Sequence, residues 1–196
     1  MGEEAAWMRV REVVRKCFDR VDEALSEHAL SDPPNLLFLA LAGRAGAVNA
    51  RAERICDTLL GNYAPEFFKP FFAAVKPLPK PFDFTGLLRG KEYTVKVVSG
   101  EKAFNSSVRK TVEEASFRYV NPVILTVQGG YFEARTVGKA VWYSAPASWK
   151  MVAGAGSYNT FKRIVFEEAK TVRESVIAKI VAARKREKKE ENYKRL

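Results

Sequence analysis

Apolar residues recur at alternating steps of three and four through residues 4–28. Trp7, Val10, Val14, Cys17, Val21 and Ala24 form a narrow seam, which predicts an amphipathic helix. Such a seam packs on its own domain or, less often, on a second copy of the chain. Ser31-Asp32-Pro33-Pro34 stops it, because a proline pair cannot continue a helix. A short apolar helix is expected over Asn35–Ala42, and Gly43-Arg44-Ala45-Gly46 reads as a helix junction. Helix is expected again over 47–60, with Val48, Ala52, Ile55, Leu59 and Leu60 on one side, ending at Gly61-Asn62-Tyr63-Ala64-Pro65. Glu66–Val75, carrying Phe67, Phe68, Phe71 and Phe72, reads as a further short helix. Pro77, Pro79 and Pro81, with Lys76 and Lys80, read as a stiff connector.

Pro81 to Gln128 reads as strand, tight turn, strand, helix, strand. Phe82–Leu88 and Glu92–Val98 read as strands joined by a turn at Leu87–Lys91. Alternation puts Glu92, Thr94, Lys96 and Val98 on one face and Tyr93, Val95 and Val97 on the other. Ser99-Gly100 ends the second strand. Asn105 or Ser106 then caps a helix with Val108, Val112, Ala115 and Tyr119 inward. Pro122–Val127 is continuously apolar, as a buried central strand should be.

Beyond it, Gly129-Gly130 turns the chain, short strands are expected at Tyr131–Ala134 and Lys139–Tyr143, and a helix follows Ala145 through Val152. The last helix, capped by Ser157 or Asn159, turns Phe161, Val165, Ala169, Val172, Val176 and Ile180 to one side. It runs out into a basic tail. The division expected is a helical region over 1–76, an α/β core over 77–183 and a tail over 184–196. No internal repeat or low-complexity block is visible apart from that tail.

Composition narrows the classes. Lys and Arg number 33 against 23 Asp and Glu, a net charge of +10, which favours a polyanionic partner and nucleic acid ahead of membrane. Cys17 and Cys56 have no Cys or His companions at zinc spacing, and His28 is the single histidine, so a structural zinc site and a histidine triad are not expected. The start MGEEAAW is acidic, unlike a signal peptide, and the longest greasy run, Leu36–Ala42, is far short of a membrane span. A cytoplasmic location is expected. The single glutamine, Gln128, among many charges suits a protein from a hot environment.

The segment Lys96-Val97-Val98-Ser99-Gly100, followed by Glu101-Lys102-Ala103-Phe104-Asn105 and preceded by Asp83, resembles the core of the PD-(D/E)xK nucleases. That is the fold of many type II restriction endonucleases, and the resemblance covers roughly residues 80–128. In that family an Asp at the start of one strand and an Asp or Glu on the next hold Mg²⁺. A Lys two residues on, on the same strand face, helps position and polarise the attacking water. Asp83 matches the first carboxylate and Ser99-Gly100 the end of the motif. Lys96 stands where the second carboxylate belongs, and Val98 where the lysine belongs.

The resemblance implies an α/β protein with a restriction-endonuclease-like mixed central sheet flanked by helices and an N-terminal helical region. It implies a Mg²⁺-dependent endonuclease acting on double-stranded DNA as a homodimer. Asp83 would be a metal ligand, and Glu113 or Glu114 from the helix would stand in for the missing carboxylate. Glu66 is another possible metal ligand, and Lys96 or Lys102 would face the scissile phosphate. Arg89, Lys91, Lys102, Arg109, Lys110 and Lys150 could meet phosphates. Ser157, Tyr158 and Asn159 could read bases from a glycine-flanked loop, or simply cap the last helix. Two other functions fit the same residues: a nuclease-fold protein that binds DNA without cutting it, and an interaction protein that assembles through its N-terminal seam and basic tail.

Overall fold

The continuous apolar run becomes a strand, β4 (Pro122–Thr126), that is buried along its whole length. Its partners are β3 (Lys91–Val98) on one side and β6 (Ala140–Tyr143) on the other, both parallel to it. The computed structural model describes residues 2–25, 50–130 and 132–171. Among these, a six-stranded mixed sheet has the order β1-β2-β3-β4-β6-β5. Here β1 is Ala73–Pro77, β2 Phe84–Leu88 and β5 Ala134–Val137, and β1–β2, β2–β3 and β5–β6 are antiparallel. Parallel strands cannot be joined by a tight turn. The β3–β4 connection is therefore a crossover through helix α3 (Ser106–Ser116). Helices α1 (Glu3–Leu25), α2 (Ala50–Phe68), α4 (Ala145–Ala153) and a helical stretch α5 over 157–171 complete the described elements.

The chain divides into two compact units: Met1–Val10 with Gly61–Phe161, and Arg11–Leu60 with Lys162–Leu196. The first holds the sheet. On one face α3 closes a core of Phe82, Val98, Phe104, Val112, Ile124, Val137, Ala140 and Trp142. On the other face the α4 side chain Trp149 stacks on Phe161 and Trp7, with Phe68 against it. A sheet covered on both faces needs its polar atoms paired inside. The Trp149 indole donates to the Val127 carbonyl, Trp142 donates to the Thr126 hydroxyl, and the Thr126 amide donates to the Ser148 hydroxyl.

In the second unit Val14, Cys17 and Phe18 are buried, together with Cys56, Leu60, Ile164, Val165 and Ala169. Burial pushes the Cys17 thiol up to about 12, which makes it an inert packing residue. Glu168 is 3% exposed and is met by Arg11 and Arg15 at 2.5 Å each. Burial alone would raise the Glu168 carboxyl, but hydrogen bonds from Arg15 and Arg11 outweigh it and hold the group below its ordinary value.

Three expectations need correcting. Helix α2 does not stop at Gly61–Pro65 but runs through both residues to Phe68. Pro65 removes the bond to the Gly61 carbonyl, and Gly61 is exposed, so water can take that acceptor. Glu66–Val75 is therefore not a separate helix: a 3₁₀ turn at Lys69–Phe71 leads into β1. The proline-rich connector begins as that strand. It lies at the sheet edge, where a proline costs no central ladder bond and helps keep other strands away. The strand expected at Tyr131–Ala134 is β5, three residues later. Its first three residues are exposed, so no apolar alternation marks it. The readings at His28, 31–46, Tyr131 and 172–196 lie outside the described residues.

Two hairpin turns rest on positive φ. Arg89 and Gly90 (φ +50° and +77°) form the two-residue link from β2 to β3. Gly138 (φ +58°) turns β5 into β6, where an added Cβ would stand 2.7 Å from the Glu113 carbonyl oxygen. Gly138→Ala should cost about 3 kcal/mol, from left-handed strain plus the clash, whereas Gly90→Ala, with open space around it, should cost about 1 kcal/mol. Urea unfolding compares the two. A second prediction concerns acid. The folded Glu168 value lies below the unfolded one, so its stabilisation is complete above about pH 4.3 and is lost as pH falls through the depressed folded value. Glu168→Gln should lower stability at pH 7 by about 2 kcal/mol and flatten the acid limb of the stability curve, measured by unfolding between pH 7 and pH 3.

Candidate functional site

Strand β3 presents Thr94, Lys96 and Val98 to the face that α3 covers, because Val98 belongs to that core and side chains alternate. Across the ladder Lys96 lies opposite Ile124 of β4, which is fully buried. An ammonium in such a row needs a counter-charge. Asp83, one residue before β2, supplies it: Lys96 Nζ donates to Asp83 Oδ1 at 3.0 Å, and the two side chains are 16% and 18% exposed.

The backbone around Asp83 holds the carboxylate in place. The Asp83 amide donates to the Val95 carbonyl at 2.8 Å, and its own carbonyl accepts from Leu78 at 3.1 Å. Asp83 Oδ2 accepts from the Val97 amide at 2.6 Å. A side-chain oxygen thus takes the place of a ladder acceptor beyond the end of β2, and a charged acceptor makes that bond strong. Each carboxylate oxygen then has one donor, with lone pairs to spare.

The other candidate residues lie elsewhere. Lys102 is exposed on the 3₁₀ turn Glu101–Ala103, just after β3. Glu113 and Glu114 are exposed on α3, and the Glu113 backbone and Cγ crowd Gly138 in the β5–β6 turn. With β4 and β6 between β3 and β5 and about 4.8 Å per strand, that turn is roughly 10 Å or more from Asp83. Neither glutamate is brought to Asp83. Glu66 is engaged by Lys69, one helical turn on, at 2.5 Å. Among the described residues no three His, Cys, Asp or Glu side chains gather into a metal-holding group.

A Mg²⁺ ion needs only one or two carboxylates when waters and a substrate phosphate complete its shell. Asp83 meets that minimum with one group, on condition that Oδ1 is shared with or released by Lys96. The glutamates expected to help do not.

The basic candidates do not share one face. Arg89 and Lys91 flank the β2–β3 turn, with Lys91 Nζ 5.4 Å from the Tyr93 ring centre. Arg109 and Lys110 are exposed on α3, whereas Lys150 is exposed on α4 across the sheet. One duplex cannot meet all of them. Ser157 is buried and its hydroxyl donates to the Gly154 carbonyl at 2.7 Å, so it anchors the start of α5. Asn159 is exposed, and the Tyr158 hydroxyl accepts from the Gly129 amide at 3.3 Å.

Arg135 was not singled out by sequence. Its guanidinium lies 4.1 Å from the Phe132 ring centre and 5.7 Å from that of Trp142, and it pairs with Glu101 at 3.3 Å. Nothing marked it, because β5 is exposed and its register could not be read. A cavity of about 220 Å³ lined by Glu3, Phe71, Leu88, Arg89 and Val152, among others, takes in neither Asp83 nor Lys96.

No protein-family model matches the chain, and no curated protein matches it in sequence. Among the described residues no helix is long and apolar enough to cross a membrane.

The Asp83–Lys96 pair is open to a direct measurement. A double-mutant cycle on Asp83→Asn and Lys96→Met should return a coupling of about 1–2 kcal/mol in chemical unfolding. A coupling near zero would mean that the two charges do not support each other.

Proposed function

We propose that this chain is a DNA endonuclease built on a PD-(D/E)xK-like core, acting on double-stranded DNA with Mg²⁺. The observation that carries the reading is the placement of Asp83 and Lys96. They sit side by side on successive segments of an antiparallel three-stranded meander that continues through a helix into a parallel fourth strand. The strand–turn–strand–helix–strand order and the acidic residue ahead of its first strand are in keeping with the sequence resemblance, while Lys96 stands where the family carries a carboxylate. The net charge of +10 supports a polyanionic substrate.

In this reading Asp83 would hold the ion together with a DNA phosphate. When bound, Mg²⁺ lowers the pKa of a coordinated water and offsets charge on the phosphate. Lys96 brings a positive charge to the same point, and the Asp83–Val97 hydrogen bond fixes the carboxylate so that little reorganisation is needed. Cutting both strands calls for two such sites, hence a homodimer. A second reading, a nuclease-like DNA-binding protein without cleavage, draws on the absence of a three-ligand cluster among the described residues and on the engagement of Asp83 by Lys96.

Incubation of plasmid with the full chain in Mg²⁺, Mn²⁺ or EDTA, at moderate and high temperature, separates the two. The endonuclease reading expects metal-dependent fragments whose rate falls by about 100-fold or more in Asp83→Asn. Salt-sensitive retention of DNA with no cutting in any metal would establish the binder instead. Loss of both would remove DNA as the partner.

A further inference from the structure

The segment after α3 carries an apolar pair that nothing in the described fold covers. Phe117 is 67% exposed and Val120 57%, the two lying three residues apart. A lone exposed apolar side chain needs no explanation. This pair differs because its backbone is firmly held. The Arg118 and Tyr119 amides donate to the Ala115 and Ser116 carbonyls, Thr94 of β3 donates to the Val120 carbonyl, and the Asn121 side chain donates to the Glu92 carbonyl at 2.9 Å. The Tyr119 ring packs edge-on against Phe82 at 4.9 Å. The pair is therefore presented on a rigid support rather than on a loose loop. Arg118 between them is exposed and has no ion-pair partner among the described residues.

Position matters as much as exposure. Thr94, which holds Val120, is two residues from Lys96 on the same strand face, about 7 Å along β3. Phe82, which holds Tyr119, immediately precedes Asp83. The apolar pair thus flanks the Asp83–Lys96 site on the face that α3 covers. Its apolar area is roughly 200 Å², far below the 800 Å² or so that each partner contributes to a stable protein interface. A tip that small, beside an exposed arginine on a strongly basic chain, fits insertion at a base step rather than a subunit contact.

We propose that Phe117 and Val120 form a wedge that enters a base step of duplex DNA next to the Asp83–Lys96 site, with Arg118 on the adjoining phosphate. The inference rests on the reading of DNA as partner. The wedge contributes apolar contact and partial unstacking, which depend little on salt, and Arg118 contributes a counterion-releasing contact.

The test uses the full chain, EDTA to prevent cutting, and a fluorescent duplex titrated over a range of salt. Phe117→Ala is expected to weaken binding about 10-fold or more with the slope of log affinity against log salt unchanged. Phe117→Leu is expected to restore most of it, and Arg118→Ala to reduce the slope by about one. A 2-aminopurine placed through the duplex should brighten at one step on binding of the wild type and not of Phe117→Ala. All three side chains involved are on the surface, and thermal melting checks that each variant is folded. If the wild type binds and Phe117→Ala binds within 2-fold without loss of the 2-aminopurine signal, the wedge is wrong while the DNA reading stands. If the wild type does not bind DNA, both fall. If Phe117→Ala instead dissociates a dimer in sedimentation without DNA, the tip is a contact between copies and the wedge is overturned.

Discussion

The parallel pairing of β3 with β4 is the constraint from which the rest of the described sheet follows. A parallel pair needs a crossover, and its strands are stable only when both faces are covered. Here α3 covers one face and the aromatic cluster around Trp149 the other. Within the paired stretches Thr94–Val98 and Pro122–Thr126, Lys96 is the only charged residue. Its ammonium sits in a row with Val98 and opposite Ile124, where an unpaired charge would be costly. Asp83 answers that cost with a carboxylate that is itself tied to the Val97 amide. The pair is thus a consequence of how the sheet is buried, and it is also the one place where opposite charges meet beside an otherwise apolar β3–β4 seam. A half-buried pair of this kind contributes little net stability and is costly to break singly. That combination is what a retained functional site and a structural clip have in common.

The crossover also explains why the helix glutamates do not reach the pair. Helix α3 must turn Val112 to the sheet, and Val108 and Ala115 pack against the same core. Glu113 and Glu114 follow Val112 directly, so the helical period of 3.6 puts them off that line. Glu113 then leans toward the β5–β6 turn at Gly138, which is tight enough to exclude a Cβ. Glu113 thus lies on the same face of the sheet as Lys96 but beside the β5–β6 turn, away from Asp83.

Elements with a strong internal period were legible: the Val10, Val14 and Cys17 seam is fully buried, the β2–β3 hairpin falls within a residue or two of its expected ends, and Pro122–Thr126 is the buried strand its composition implies. The Asp83–Lys96 register follows from the two-residue turn, which leaves little freedom in which residues face each other, whereas a turn expected over Leu87–Lys91 left that register open. What sequence did not show were features decided by context. Pro65 inside α2 and the proline-bearing strand β1 both set local propensity against tertiary packing, and packing won. Strand β5 is exposed over most of its length, so Arg135 and its stacking on Phe132 had no hydrophobic signal behind them.

Charge distribution bears on how a polyanion would approach. Among the described residues Lys150 lies across the sheet from Arg109 and Lys110, so these three cations act as a general field rather than a single stripe. A field of that kind raises encounter rates without fixing register, and register must come from short-range features. On the α3 face those features are close together: a fixed charge pair at Asp83–Lys96 and, two strand positions away, the rigidly supported tip at Phe117–Val120. The Thr94 amide that holds the tip lies about 7 Å along β3 from Lys96, so a partner engaged at the tip would also come close to the charge pair and would have to satisfy it.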